Sequence, residues 1–121
     1  MKVRCIKLID SNGNPIEGSN WLTIAEIYNV LSIIQDVHGR WLLRLIADKH
    51  PRVALFPLTQ FEILSAKVPQ TWIVTWKDSG LFELTPEAWS RPGFWEDFYD
   101  AKLEAAKAFE DEARKIIECD P

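Results

Sequence analysis

Glu96, Asp97 and Asp100 fall within five residues, close enough in sequence for the paired-carboxylate chemistry of acid–base sites. On a helix, Glu96 and Asp100 would share a face while Asp97 diverges by about 100° per residue. Capping and solvation are therefore the competing fate of all three. His38, His50, Cys5 and Cys119 are the other groups able to hold a metal or act as nucleophiles. No pair among them has the short spacing of metal ligands, and no orienting partner flanks a Cys–His pair. The five glycines are scattered singly, so no phosphate-cradling loop is present. The expectation is a non-catalytic protein without metal or cofactor.

Binding chemistry is better represented. Trp89, Phe94, Trp95, Phe98 and Tyr99 are interleaved with Glu87, Glu96, Asp97 and Asp100. Such rings either fill a core beneath the last helix or stand as anchors inside an acidic rim. In the second case Trp95, Tyr99, Glu96, Asp97 and Asp100 contact a protein partner, with Glu104 and Asp111 as outer steering charges. A different surface is offered by Arg40, Trp41, Arg44 and Arg52. Arg40 and Arg44 have the same parity on a strand and should face one side. That basic face would take a peptide or a nucleic acid.

Charge separates these alternatives. The 121 residues carry 14 Lys and Arg against 18 Asp and Glu, a net charge of −4. Residues 1–76 hold eight basic and six acidic side chains, a balance of +2; residues 77–121 hold six and twelve, a balance of −6. The acidic third disfavours nucleic acid, since phosphates need Lys and Arg, and favours a basic protein partner. Two cysteines far apart read as free thiols of a cytoplasmic protein. No apolar run approaches the ~20 residues of a membrane span.

The elements that position these residues follow from periodicity. With 47% apolar and 26% charged residues the chain suits a single α+β domain over 1–121. Val3–Ile9, Ile27–Ile34, Arg40–Ala47, Arg52–Phe56 and Phe61–Leu64 read as strands. They are separated by turn clusters such as Asp10-Ser11-Asn12-Gly13-Asn14-Pro15 and Asp36-Val37-His38-Gly39. Five such strands over 1–64 predict a small SH3-like antiparallel barrel, or an open meander. Residues 65–84 supply an additional hairpin, Thr71–Trp76 with Leu81–Leu84. Residues 85–121 are helical: Thr85 caps and Pro86 opens a first turn, Phe94–Tyr99 forms a short helix, and Asp100 caps a last helix over Ala101–Glu118. Leu103, Ala106, Phe109, Ala113 and Ile116/Ile117 give that helix an apolar stripe to pack on the sheet. Glu110–Arg114 and Asp111–Lys115 are spaced for ion pairs along it.

Two resemblances attach to these residues. Leu22-Thr23-Ile24-Ala25-Glu26-Ile27-Tyr28-Asn29-Val30-Leu31, with Phe61-Glu62-Ile63-Leu64, resembles a family of small bacterial and phage SH3-like barrels of unknown activity. Those proteins usually carry Gly-Lys where this chain has Ala25-Glu26. Leu84-Thr85-Pro86-Glu87-Ala88-Trp89 through Pro92-Gly93-Phe94-Trp95-Glu96-Asp97-Phe98-Tyr99-Asp100 is similar to the C-terminal part of immunity proteins from bacterial polymorphic-toxin systems. That similarity implies a protein that binds a cognate toxin and occludes its basic site, with no catalytic residues of its own.

Overall fold

The architecture follows from where the extended segments change partner. A computed structural model describes residues 1–121. Its strands are β1 (Lys2–Cys5), β2 (Ile27–Asn29), β3 (Ser32–Gln35), β4 (Trp41–Ile46), β5 (Val53–Pro57), β6 (Phe61–Ser65), β7 (Trp72–Trp76) and β8 (Phe82–Pro86). A 3-10 turn at Leu58–Gln60 joins β5 to β6, and another at Glu87–Trp89 leads to helices α1 (Phe94–Tyr99) and α2 (Leu103–Cys119). The chain is thus α+β, with two antiparallel sheets ordered β2-β1-β6 and β5-β4-β3-β8-β7.

The continuous strand expected over Ile27–Ile34 is two strands. Val30 and Leu31 are both fully buried and mark the break. The Val30 amide donates to the Met1 carbonyl at 3.0 Å, in the direction of β1, while the Leu31 amide donates to the Arg44 carbonyl at 2.8 Å, in β4. One apolar run therefore serves both sheets. The expected barrel is not closed: no ladder joins the two sheets into a ring. The Trp72–Pro86 hairpin is also not an appendage. Its strand β8 pairs with β3, matching Ile33 to Leu84 and Gln35 to Phe82, and so extends the larger sheet.

Two backbone positions carry strain. Ala25 has φ +74° and Ala101 has φ +60°. The Glu26 amide donates to the Thr23 carbonyl at 3.1 Å. That places Ala25 third in a four-residue turn, where a type II geometry demands positive φ and normally selects glycine. Alanine there keeps the turn at a steric cost. The turn is held from outside, since the Ala25 amide donates to Cys5 and the Cys5 amide to Glu26.

Ala101 ends α1. Its amide donates to the Phe98 carbonyl and the Lys102 amide to the Asp97 carbonyl, both at 3.0 Å. These are the two bonds of a Schellman motif, which needs a left-handed residue at the position Ala101 holds. Consequently α2 starts at Leu103 with Lys102 as its extended flanking residue. Asp100 is not its cap, because Asp100 still belongs to the end of α1. The stripe shifts as well. Ala105, Phe109, Ala113 and Ile116 are buried, whereas Leu103 is 86% exposed. Thr85 caps nothing; it is buried in β8 and the turn after it starts behind Pro86. The ion pairs on α2 are Lys107–Asp111, Arg114–Asp111 and Lys115–Glu112 rather than the two expected.

The core is one cluster that takes β1 residues Val3 and Cys5, β4 residues Leu43 and Leu45, and Phe109 and Ile116 of α2. Trp89 ties the helices in. It stacks on Phe109 at 5.1 Å between centroids and donates its indole N–H to the Ala108 carbonyl at 3.2 Å. Its buried N–H is thereby satisfied, as an interior indole requires.

Candidate functional site

The aromatic segment divides between core and surface. Trp89 and Phe94 are fully buried, and Trp95 and Phe98 are half-buried. Trp95, Phe98 and Phe109 pack edge-on or tilted within 4.7–6.2 Å of one another. The rings therefore clamp the helices to the sheet. Tyr99 alone stays about half exposed, at 49%, and donates its hydroxyl to the Val53 carbonyl at 2.7 Å.

Trp95 owes its position to a buried charge. The Arg44 guanidinium lies 3.9 Å from the Trp95 ring centroid, and the same group donates to Glu83 and to Ser32, each at 2.9 Å. Strand register explains the convergence: Arg44 is opposite Ser32, and Ile34, on the same face, is opposite Glu83. Burial pushes the Arg44 guanidinium below its ordinary range, and Glu83 opposes that shift. A stacked, paired arginine beneath α1 is a structural element.

The proposed basic face is accordingly not assembled. Arg44 is 8% exposed and consumed by Glu83 and Trp95. Arg40 is exposed but paired with Asp36 at 2.7 Å. Arg52 is exposed and in no ion pair, and Trp41 is exposed and lines one groove with Arg40. Alternation on β4 puts Trp41 with Leu43 and Leu45, opposite Arg44.

The acidic rim is partly assembled. Asp97 is bound by Lys102 at 3.1 Å and Arg91 at 2.9 Å, and their hydrogen bonds hold its carboxyl below the usual carboxylate range. Asp111 is likewise paired, with Lys107 and Arg114. Glu96, Asp100 and Glu104 are exposed and free of ion pairs, as are Asp78, Glu87, Glu110 and Glu118. In residues 77–121 these seven carboxylates face one uncompensated cation, Lys77. Ion pairing has removed charge in balance and left a negative remainder on the helices and the turns before them.

A second feature escaped the sequence reading. Trp76, Phe82, Gln35 and Trp41 are consecutive partners across β7, β8, β3 and β4. Phe82 meets Trp41 at 6.1 Å and Trp76 at 6.2 Å, both edge-to-face. Trp76 is 74% exposed and Val74 beside it 59%. The signal was present: Trp76 and Phe82 flank the turn Asp78-Ser79-Gly80 symmetrically, which pairs them. Trp41 also stands at the mouth of the largest groove, of about 890 Å³, bordered by Trp21, Phe56, Pro57 and the Asp10–Gly13 turn.

The remaining polar cluster is a brace. Asp48 accepts from the Tyr28 hydroxyl and, at 2.6 Å, from the Thr23 hydroxyl. Burial, then the bond to Asp48, raises the Tyr28 phenol, and the bonds from Thr23 and Tyr28 outweigh desolvation to lower Asp48. No group of three or more His, Cys, Asp or Glu gathers in a geometry that would hold a metal. No helix is long and apolar enough to cross a membrane. No family model, no curated protein and no solved structure matches the chain.

Proposed function

We propose that the chain is a non-catalytic protein-binding protein that neutralises a basic partner, in the manner of a toxin's immunity protein, by covering its positive site. The observation that carries this reading is the set of seven exposed carboxylates left without basic partners in residues 77–121. Charge of one sign raises the association rate with a cationic protein. Tyr99, half exposed and fixed by Val53, supplies a rigid ring that shares a surface hollow with Arg52 and Glu110.

Affinity capture from native lysate is the test. The expected product is a basic protein in equal amount, lost when Glu96, Asp100 and Glu104 are together changed to Lys. Recovery undiminished by that charge reversal contradicts the reading. A second reading, a module that binds a peptide, is favoured by the groove at Trp41. It predicts a partner insensitive to the helix charges and lost on Trp41→Ala.

A further inference from the structure

The five-stranded sheet has two edges, and they are treated differently. The Ala47 amide donates to Arg52 and the Lys77 amide to Leu81. In an antiparallel ladder, hydrogen-bonded pairs alternate with non-bonded ones. Counting from those bonds along the register, Val53, Leu55 and Pro57 turn their backbone groups outward on β5, and Trp72, Val74 and Trp76 do so on β7.

On β5 two of the six outward groups are removed, at its two ends, and Leu55 between them keeps both of its own. Val53 gives its carbonyl to the Tyr99 hydroxyl, and Pro57 has no N–H to offer. On β7 only the Trp72 amide is used, by the Pro69 carbonyl at 3.2 Å. The amides and carbonyls of Val74 and Trp76 have no strand beside them. Thr71–Trp76 contains no charge, no proline and no bulge. Natural edges are normally blunted by such devices. The smaller sheet shows a short edge, a charge and a bulge: β2 has three residues, and β6 carries Glu62 and pairs with β1 through a register shift.

We propose that β7 is a docking edge, which adds an extended segment of a cationic partner protein as a sixth strand of this sheet. Main-chain bonds to Val74 and Trp76 would hold the segment, and its alternate side chains would lie over Val74, Trp76 and Phe82. The exposed Trp76 indole suits a Lys or Arg side chain through cation–π contact. Charge chooses this occupant over a second copy: each copy carries −4 overall and repels another, whereas a basic segment is drawn to a net-negative chain, with Asp78 beside Lys77 at the end of the edge. The choice of a cationic partner rests on the function proposed above; the open edge does not.

The test uses the full chain, labelled for NMR, and a synthetic eight-residue peptide alternating lysine and valine. Amide exchange at Val74 and Trp76 should slow about tenfold at saturation, and the Trp76 and Trp41 indole signals should shift. A lysine–proline peptide should have no effect. Val74→Pro removes an outward N–H and no internal bond, and should abolish the slowing with the spectrum elsewhere unchanged; Trp76→Ala should weaken it. Shifts confined to α1 and α2 would overturn the edge while leaving the basic-partner reading intact. Equal slowing by a glutamate–valine peptide would overturn the cationic occupant. Absence of any response to the lysine–valine peptide, or protection of Val74 and Trp76 in a dimer of the chain alone, would overturn the proposal as a whole.

Discussion

Replacing Arg44 by Met should be among the most damaging single changes available to this molecule. Arg44 and Glu83 are both largely enclosed, with side chains 10% and 15% exposed, and their 2.9 Å contact lies under the Trp95 ring. Removing one partner leaves the Glu83 carboxylate without its counter-charge. Breaking a buried pair in this way costs about 3–5 kcal/mol. The methionine keeps some volume against Trp95 and Ser32, so little of that cost is cavity. A domain stable by about 5–15 kcal/mol would lose a large share. Changing both residues, Arg44→Met with Glu83→Leu, removes the charge along with its partner and should fall within about 1 kcal/mol of the parent. Urea unfolding followed by tryptophan fluorescence reads both, since Trp95 sits on the pair. A single variant that costs less than about 1 kcal/mol, or a double variant that costs more than the single, would refute the reasoning.

The two left-handed alanines give the opposite sign. Relief of about 1–2 kcal/mol of steric cost, less about 0.4–1 kcal/mol of added unfolded-state entropy, should make Ala25→Gly and Ala101→Gly each stabilising by roughly 0.5 kcal/mol; calorimetry should show a higher Tm for each and a near-additive gain for the pair. Helix phase is tested by truncation: Ile116→Ala, at a fully buried site, should cost about 2–5 kcal/mol, while Leu103→Ala should leave the urea midpoint unchanged. Acid should destabilise the fold. Asp36, Asp48, Asp97 and Asp120 all have carboxyls lowered by hydrogen bonds that survive some desolvation. A lowered folded pKa stabilises above the unfolded value of ~3.9 and loses that contribution as pH falls through the folded one. Urea midpoints should thus hold between about pH 7 and pH 5 and drop below about pH 4, with a shallower drop in Asp48→Asn.

Local chemistry was legible in the sequence because it is local. Alternation over Val3–Ile9, of which only the part to Cys5 forms β1, turns at Asp36–Gly39 and Asp78–Gly80, and the amphipathic run through Phe109 and Ile116 each act within a few residues. Contacts across the chain were not. Arg44 reads as a surface cation until Glu83, 39 residues on, is brought opposite through β3 and β8. The phase of α2 was misread at Leu103 because Ala101 adopts a conformation that alanine seldom takes. The break at Val30-Leu31 is invisible to periodicity, since both residues are apolar on either side of the change of sheet. Of the candidate site, Glu96, Asp100, Glu104 and Tyr99 are at the surface. Asp97 and Asp111 are held by neighbouring cations, and Trp95 is bound to Arg44. The Trp41–Phe82–Trp76 row needed the hairpin to join the sheet before it existed as a surface.

The association rate of the chain with its captured partner, measured against ionic strength, tests the central claim most directly. A rate that falls steeply as salt rises, and that loses this slope when Glu96, Asp100 and Glu104 become Lys, is the predicted result. A rate indifferent to salt, and equal in the parent and the charge-reversed chain, would contradict it.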